Sequence, residues 1–221
     1  MQRLTVLDAL SDARRGRLLD AFGRLAAIDP SVRVLDLGGG TGVAAARFAA
    51  RAREVVILDA DPERTRHGAA RRCRLSFVVA LAERIPFAPD CFERVVSLNS
   101  FHHLADRDSA LREARRVLAV GGVLFLADID ARSLRGRWLG FFERRVMGHR
   151  VHFLTPDEAR RAAESAGWVD VETGRLGGGF FVRARKGGAT PGLAGPRASP
   201  QGITEGRLGT EPEIAAPRTA R

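Results

Sequence analysis

The chain has 221 residues, of which 45% are apolar and 28% charged, a length and composition typical of one globular domain with its own core. Its two cysteines, Cys73 and Cys91, have no cysteine or histidine nearby at the spacing of metal ligands, which excludes a disulfide framework and predicts no metal site. The net charge of +10 comes from arginines spread along the chain, and aromatic residues that stack on bases make up only 6%, so a nucleic-acid partner is disfavoured.

Neither the N-terminus nor any later segment has a pattern typical of membrane insertion. No run approaches the roughly 18 apolar residues of a membrane span, and residues 1–12 lack the apolar core of a signal peptide. A cytoplasmic location is therefore expected. Residues 1–29 are predicted to form a helical cover that either packs on the sheet or acts as a lid. Its apolar stripe consists of Leu18, Leu19, Phe22, Leu25 and Ala26.

Short apolar runs alternate with helical segments over residues 30–186, the predicted folded domain. This alternation indicates βαβ units and therefore a doubly wound, Rossmann-like α/β fold whose ligands bind beyond the carboxyl ends of the strands. An antiparallel pair at 168–173 and 180–185 completes a predicted seven-stranded, mostly parallel sheet. The other strands are predicted at 32–37, 54–59, 75–79, 92–98 and 122–128, with helices at 42–51, 62–72 and 107–119.

The segment after the fifth strand combines apolar residues with arginines. Residues 133–148 are predicted to be a helix, and the simplest interpretation is an apolar stripe facing the core with arginines facing water. The alternatives are that the segment binds an anionic or lipophilic substrate, or that it makes peripheral contact with a membrane surface. A further helix begins at Thr155, and residues 187–221, with twelve Gly or Pro, are predicted to be a disordered tail. The apolar stripe consists of Leu134, Trp138, Leu139, Phe142 and Val146.

The strongest local signal is the run Asp36-Leu37-Gly38-Gly39-Gly40-Thr41-Gly42, between the first strand and the next predicted helix. Glycines suit a sharp turn whose backbone approaches a ligand, and N–H groups that open a helix favour a polar one. Val43 stands where a dinucleotide fingerprint requires glycine, and Asp36 would place an anion beside a pyrophosphate. Asp59 ends the second strand, where a carboxylate accepts hydrogen bonds from ribose hydroxyls. The pattern indicates a nucleoside, and Asp36 favours one that carries a cationic group.

Motifs in register along the chain extend this interpretation. V-L-D-L-G-G-G-T-G at 34–42 is followed by A-E-R-I-P-F at 82–87, D-C-F-E-R-V-V-S at 90–97 and F-H-H-L at 101–104. L-R-E-A-R-R-V-L at 111–118, H-F-L-T-P-D-E at 152–158 and A-G-W at 166–168 come next. Together they resemble the class I methyltransferases that depend on S-adenosylmethionine (SAM), in the type 11 branch that includes the ubiquinone/menaquinone methyltransferases. The resemblance covers roughly residues 30–185.

The resemblance implies SAM as the cofactor and assigns roles to matching positions. Asp36 would orient the methionine amine, the glycine turn would pass under the methionine and ribose, and Asp59 would bind the ribose hydroxyls. Ala60 and Ala82 would contact the adenine, and Leu98 and Asn99 would flank the sulfonium. The implied cofactor-binding residues are Asp36, Gly38, Gly40, Thr41, Gly42, Asp59, Ala60, Leu81, Ala82, Leu98 and Asn99.

Two departures from the family pattern stand out. Leu81 replaces a polar residue, often Asp, that bonds the adenine amino group, a loss of about one hydrogen bond or on the order of 1 kcal/mol. His102 and His103 replace the Arg-Asn pair of the quinone methyltransferases, which argues against carrying the quinone substrate over to this chain.

The predicted function is methylation of an unidentified small molecule at an O, N or C atom. An oxygen or carbon acceptor needs a base, and His102 and His103 are the catalytic candidates, with a packing or capping histidine as the alternative. Further candidates are His149, His152 and Asp128.

Three other functions remain open from the sequence. Net charge favours a nucleic-acid or protein methyltransferase, and Leu81 suggests a non-catalytic SAM-binding protein. An NAD-dependent oxidoreductase is disfavoured by Val43 and by the absence of tyrosine.

Overall fold

Seven strands form one mixed sheet in a computed structural model that describes residues 6–71, 74–145 and 152–188. The strands are β1 (Arg33–Leu37), β2 (Glu54–Asp59), β3 (Ser76–Val79), β4 (Phe92–Leu98), β5 (Leu118–Asp128), β6 (Val169–Leu176) and β7 (Gly179–Arg185). Their order is β3-β2-β1-β4-β5-β7-β6; β1 to β5 pair in parallel, and β7 runs antiparallel to both β5 and β6. The predicted doubly wound sheet with a C-terminal antiparallel strand is confirmed.

Helices cover both faces of this sheet. They are α1 (Val6–Leu25), α2 (Pro62–Ala69), α3 (Arg107–Val117), α4 (Leu134–Arg145) and α5 (Pro156–Ser165). Asp61 caps α2 by accepting hydrogen bonds from two backbone N–H groups, and Thr155 and Glu158 form a capping box at the start of α5. No helix in the described part of the chain is both long enough and apolar enough to cross a bilayer.

The N-terminal helix packs on the sheet through aromatic contacts. Phe22 of α1 is fully buried, and its ring lies 5.0 Å from that of Phe125 on β5 and 5.9 Å from that of Phe48. Leu25, one turn further on, is 38% exposed. Of the two roles predicted for residues 1–29, packing on the sheet is therefore carried by Phe22, while the half-buried Leu18 reaches a cavity described below.

One predicted helix is wrong. Residues 42–51 form two short 3₁₀ turns, Ala45–Arg47 and Ala49–Arg51, rather than an α-helix. Ala46 N–H still bonds to Gly42 O with helical spacing, but the bonds that follow join residues three apart. Alanine-rich sequence favours a helix, so tertiary packing has overridden propensity here, because Phe48 turns inward against Phe22 and is 1% exposed.

Most of the apolar stripe of α4 does not face the core as its simplest interpretation predicted, although Leu139 is half-buried and packs beside Ile129 and Phe153. Leu134 is 84% exposed and Trp138 66%, whereas Gly136 and Gly140 are buried. Glycines fill the inner side because α4 lies against the backbone of the preceding loop, where a Cβ at Gly136 would collide with the carbonyl oxygen of Asp130. Val146 and the predicted tail from residue 189 onward lie outside the described residues.

Replacing Phe22 should show that α1 is part of the core. Phe22→Ala is expected to lower the free energy of unfolding by about 3–5 kcal/mol, because it removes a buried ring that contacts two others. Leu25→Ala, on the same helix but 38% exposed, should cost less than about 1 kcal/mol. Urea denaturation followed by circular dichroism measures both, and similar small losses for the two variants would mean that α1 is not held by the sheet.

Candidate functional site

A cavity of about 600 Å³ lies at the carboxyl ends of β1, β2 and β4. Here the strand order reverses, since β1 has β2 on one side and β4 on the other, and crevices at such positions bind ligands in doubly wound folds. Its volume falls in the range of about 300–1,000 Å³ of small-molecule sites. The lining residues are Gly38, Leu58, Asp59, Ala60, Arg64, Ala80, Leu81, Ala82, Glu83, Asn99, Ser100, His103, Leu104 and Ala105.

The glycine turn after β1 forms one wall of this cavity. Gly38 has a φ of 69°, and a Cβ there would lie 2.6 Å from Ser100 Cβ, so both conformation and space require glycine. The Ser100 hydroxyl donates to Leu37 O at 2.8 Å and joins the turn to the loop after β4. Glycine at this position therefore lets the turn approach Ser100 closely at the wall of the cavity.

Asp59 stands at the tip of β2 and is 8% exposed. Its carboxylate accepts a hydrogen bond from Gly40 N–H at 2.8 Å and another from Asp61 N–H at 2.9 Å. A carboxylate has about four lone-pair positions, so two acceptor positions remain after these bonds. Because Asp59 also lines the cavity, it can receive hydroxyl donors from a ligand.

Asp36 lies beneath the turn and is 3% exposed. Burial, followed by repulsion from Asp59, raises the pKa of Asp36 to about 7. No residue in the described part of the chain is recorded as a hydrogen-bond partner of its carboxylate. A buried acid in this condition favours a cationic ligand group, which would stabilise its ionised form.

The loop after β3 is fixed from behind by two residues of α3. Glu113 accepts a hydrogen bond from Ile85 N–H at 2.9 Å, and Arg116 donates to the carbonyl oxygens of Ile85 and Phe87, each at 2.8 Å. Hydrogen bonding from Arg116 also lowers the pKa of Glu113. This anchoring sets the position of the adjoining residues 81–83, which line the cavity.

A second, narrow cavity of about 40 Å³ lies beside the first and shares Asn99 with it. Asn99 has a left-handed φ of 52°, and its N–H donates to Ala127 O at 2.8 Å. Asp128 is the one titratable residue in the lining of this second cavity. The lining residues are Leu18, Leu98, Asn99, Ala127, Asp128, Ile129, Leu176, Gly178, Gly179 and Phe180.

Asp128, which lines the second cavity, pairs with the buried His102. His102 Nδ1 lies 2.7 Å from Asp128 Oδ1, and the two side chains are 5% and 7% exposed. The N–H groups of His102 and Ile129 donate to the same carboxylate at 3.0 and 2.8 Å. An ionised carboxylate only accepts hydrogen bonds, so this contact suits the tautomer of His102 that carries its proton on Nδ1. The His103 ring lies 4.1 Å from that of His102 and faces the first cavity.

Comparison with known proteins assigns this arrangement to a family. A model of the methyltransferase domain matches residues 35–126. The malonyl-(acyl-carrier protein) O-methyltransferase of Geobacter sulfurreducens is 35% identical over 159 residues, 66% of this chain and 58% of that protein. The UbiE ubiquinone/menaquinone C-methyltransferase of Bordetella parapertussis is 36% identical over 137 residues, 58% of this chain and 53% of that protein. These similarities indicate a class I SAM-dependent methyltransferase.

Solved structures support the same fold. A chain in the complex between the Haloferax volcanii Trm112 methyltransferase activator and a methyltransferase superposes with a TM-score of 0.71 at 19% identity, covering 81% of this chain and 93% of that one. The aligned part of the present chain spans little more than half the length of the curated relatives above.

The residues of the first cavity fit SAM, the cofactor of this family. The cavity offers a glycine turn and a strand-end carboxylate in Asp59, which match a ribose. The buried carboxyl of Asp36 lies beneath that turn, where it would favour a cationic amine. Of the residues predicted from the resemblance, those that line the cavity are Gly38, Asp59, Ala60, Leu81, Ala82 and Asn99.

The other predicted cofactor residues lie outside this lining. Gly40 contacts it through the Asp59 hydrogen bond, Asp36 lies beneath the turn, and Leu98 lines the second cavity instead. Thr41 and Gly42 continue the turn away from the lining.

The histidine candidates also separate in space. His103 borders the first cavity and His102 is buried behind it. His152 is exposed, and its N–H donates to His102 O at 3.2 Å. His149 lies outside the described residues.

Sequence reasoning missed Arg64, Glu83 and Ser100, all of which line the cavity. Arg64 stands in the first turn of α2, just beyond the strand that ends in Asp59, so its place at the strand end was a usable signal. Ser100 was not recognisable, because its role depends on its hydrogen bond to Leu37 across 63 residues.

SAM binding should depend on pH through Asp36. With its pKa raised to about 7, the carboxyl is protonated below that pH and must lose its proton to bind an amine, so affinity should rise about tenfold per pH unit from 5.5 towards 7. Asp36→Asn should weaken binding about 10- to 100-fold at pH 7.5 and remove most of this dependence.

Isothermal titration with SAM at pH 5.5, 6.5 and 7.5 measures the effect, and two buffers of different ionisation enthalpy detect proton release. Asp170→Asn on β6 is the matched control and should bind SAM as the unmodified protein does. A dissociation constant that does not change with pH in the unmodified protein would exclude this role for Asp36.

Proposed function

We propose that the protein is a cytoplasmic methyltransferase that uses SAM to methylate a small molecule. The observation that carries the proposal is the meeting of two cavities at Asn99, one with the features of a nucleoside site and one lined mainly by apolar side chains. A methyl group bound at their junction would face an acceptor on the other side. The names of the relatives support a small-molecule or carrier-bound acceptor.

The cofactor side of the site is proposed to work by alignment. When bound, SAM supplies an electrophilic methyl group. Asp36 holds the amine, Asp59 accepts the ribose hydroxyls, and Asn99 borders the transferred group. Alignment of two reactants contributes roughly 7–11 kcal/mol in favourable cases, so these contacts account for much of the expected acceleration without acid–base chemistry.

The second cavity is proposed to receive an apolar ring or acyl chain. Leu18, Leu98, Ile129 and Phe180 contribute apolar surface, and Asp128 contributes the polar position. Because the cavity measures about 40 Å³, entry of an acceptor requires displacement of Leu18 or of the turn between β6 and β7. The N-terminal helix thereby gains the lid role that the sequence left open.

For an oxygen or carbon acceptor, we propose that a ring nitrogen of His103 takes the proton. His103 borders the cavity, whereas His102 is buried beneath it with Nδ1 fixed by Asp128. His102 is then a positioning residue that supports the His103 ring at 4.1 Å. An amine acceptor that arrives uncharged needs no such base.

Binding and turnover test the function directly. The purified protein should bind SAM and form S-adenosylhomocysteine with at least one member of a panel of hydroquinones, phenols, acyl thioesters and amines, measured by mass spectrometry. Absence of SAM binding at millimolar concentration would contradict the proposal. Binding without turnover across the panel would favour the non-catalytic SAM-binding alternative.

Histidine variants separate catalysis from packing. With an oxygen or carbon acceptor, His103→Gln should lower kcat by about 10²- to 10⁴-fold, while SAM affinity stays within about threefold. His102→Gln should have a smaller effect on kcat, of about tenfold. His67→Gln on α2, also exposed, is the control and should change neither. An unchanged kcat in His103→Gln would remove the base from the mechanism.

A further inference from the structure

The helix α4 presents its apolar residues to solvent. Ten large apolar side chains are exposed in the described part of the chain, and four of them, including every aromatic one, stand on this helix. They are Leu134, Trp138, Phe141 and Phe142, with exposed fractions of 84%, 66%, 60% and 36%. Exposed apolar patches on soluble proteins mark binding surfaces, so this concentration on one helix calls for a partner.

These four residues form one continuous surface. Their spacing of four, seven and eight residues from Leu134 places them on a single side of the helix. The rings of Trp138 and Phe142 stack with centroids 5.6 Å apart and planes inclined by 9°. The surface is therefore ordered side by side along the helix rather than scattered.

The inner side of α4 keeps this surface outward. Gly136 and Gly140 are buried, and the half-buried Leu139 packs beside Ile129 and Phe153. Any rotation that brought the aromatic rings inward would have to replace the contact of Gly136 with the Asp130 carbonyl by a bulky side chain, for which there is no room. The outward orientation of the aromatic rings is therefore a consequence of how the inner side of α4 packs.

Positive charge accompanies the apolar surface. Arg137 and Arg145 are exposed and stand next to it, and neither has an ion-pair partner recorded among the described residues. Helices with aromatic residues on one side and arginines beside them bind at the interface of anionic bilayers, where the rings enter the acyl boundary and the guanidinium groups remain among the headgroups.

We propose that this face of α4 docks on the anionic surface of a lipid bilayer. A single convex helix offers no groove for a peptide, whereas a bilayer adapts to protruding side chains and supplies the negative charge that Arg137 and Arg145 lack. Leu134 follows the end of β5 by only a short loop, so the face lies at the same end of the sheet as the two cavities. The proposal does not depend on methyl transfer.

Vesicle binding tests this proposal with the full chain. The protein should float with vesicles of 70% phosphatidylcholine and 30% phosphatidylglycerol, and bind pure phosphatidylcholine at least about tenfold more weakly. The chain has two tryptophans, and Trp168 is 3% exposed. A blue shift of tryptophan emission on binding, and its quenching by brominated lipid, therefore reports insertion of Trp138.

Matched variants locate the surface. Phe141→Asp should reduce the partition constant by at least about tenfold, whereas Val120→Asp, equally exposed but at the amino end of β5, should change it less than twofold. Reversal of Arg137 and Arg145 to Glu should abolish the preference for anionic vesicles. Arg66 lies on α2 and Arg71 follows it, and both are exposed. The same charge reversal at these two residues should leave the preference for anionic vesicles unchanged. Unchanged SAM affinity and melting temperature show that the variants fold.

Three outcomes would overturn the proposal. The first is no binding to anionic vesicles at low salt. The second is an equal decrease of the vesicle partition constant in Phe141→Asp and in Val120→Asp. The third is a lipid-free dimer in analytical ultracentrifugation that Phe141→Asp dissociates, which would assign the face to a second copy of the chain.

Discussion

Two buried carboxylates at neighbouring strand ends set the electrostatics on which the site depends. Asp59 is compensated by the N–H groups of Gly40 and Asp61, but Asp36 gains no recorded hydrogen bond, and burial with repulsion from Asp59 raises its pKa to about 7. Because this pKa lies above its ordinary value, the contribution of Asp36 to stability is full below pH 3.8 and is lost as the pH rises to about 7. A bound cationic group would reverse that loss, so the proposed role of Asp36 would couple the stability of the fold to cofactor binding.

Those parts of the site that depend on local sequence patterns could be predicted from the sequence. Alternation of apolar runs and helices predicted the sheet, because each βαβ unit has its own periodicity. Gly38 and Asp59 were recognisable because the turn and the strand end each need a particular residue type close in sequence. The motif around Glu113 and Arg116 was also recognised, but its physical role was not, since it is the anchoring of residues 85–87 across 28 to 31 positions.

What the sequence could not predict depends on contacts between distant segments. Residues 42–51 have helical propensity, but they form 3₁₀ turns in which Phe48 packs against Phe22 of α1. The local sequence does not show this contact, because Phe22 lies on a different element. The pairing of His102 with Asp128 joins positions 26 apart, so the sequence alone could not decide which of two adjacent histidines faces the cavity. The outward stripe of α4 was misjudged for a similar reason, because periodicity gives the existence of a face and not its direction.

The two places where the chain departs from the ordinary rules of folding have different origins but the same implication. An ionisable group is normally paired when buried, and Asp36 is not; aromatic residues are normally inside, and those of α4 are not. The surrounding structure fixes each departure. The turn packs so closely on Asp36 that a Cβ added to Gly39 would lie only 2.6 Å from its carboxylate. The helix α4 packs so closely on the Asp130 carbonyl at Gly136 that it has no room to rotate. If folding were the only requirement, single substitutions could remove both arrangements. Their presence at the same end of the sheet is therefore better explained by two ligands, one that neutralises a buried acid and one that covers an apolar surface.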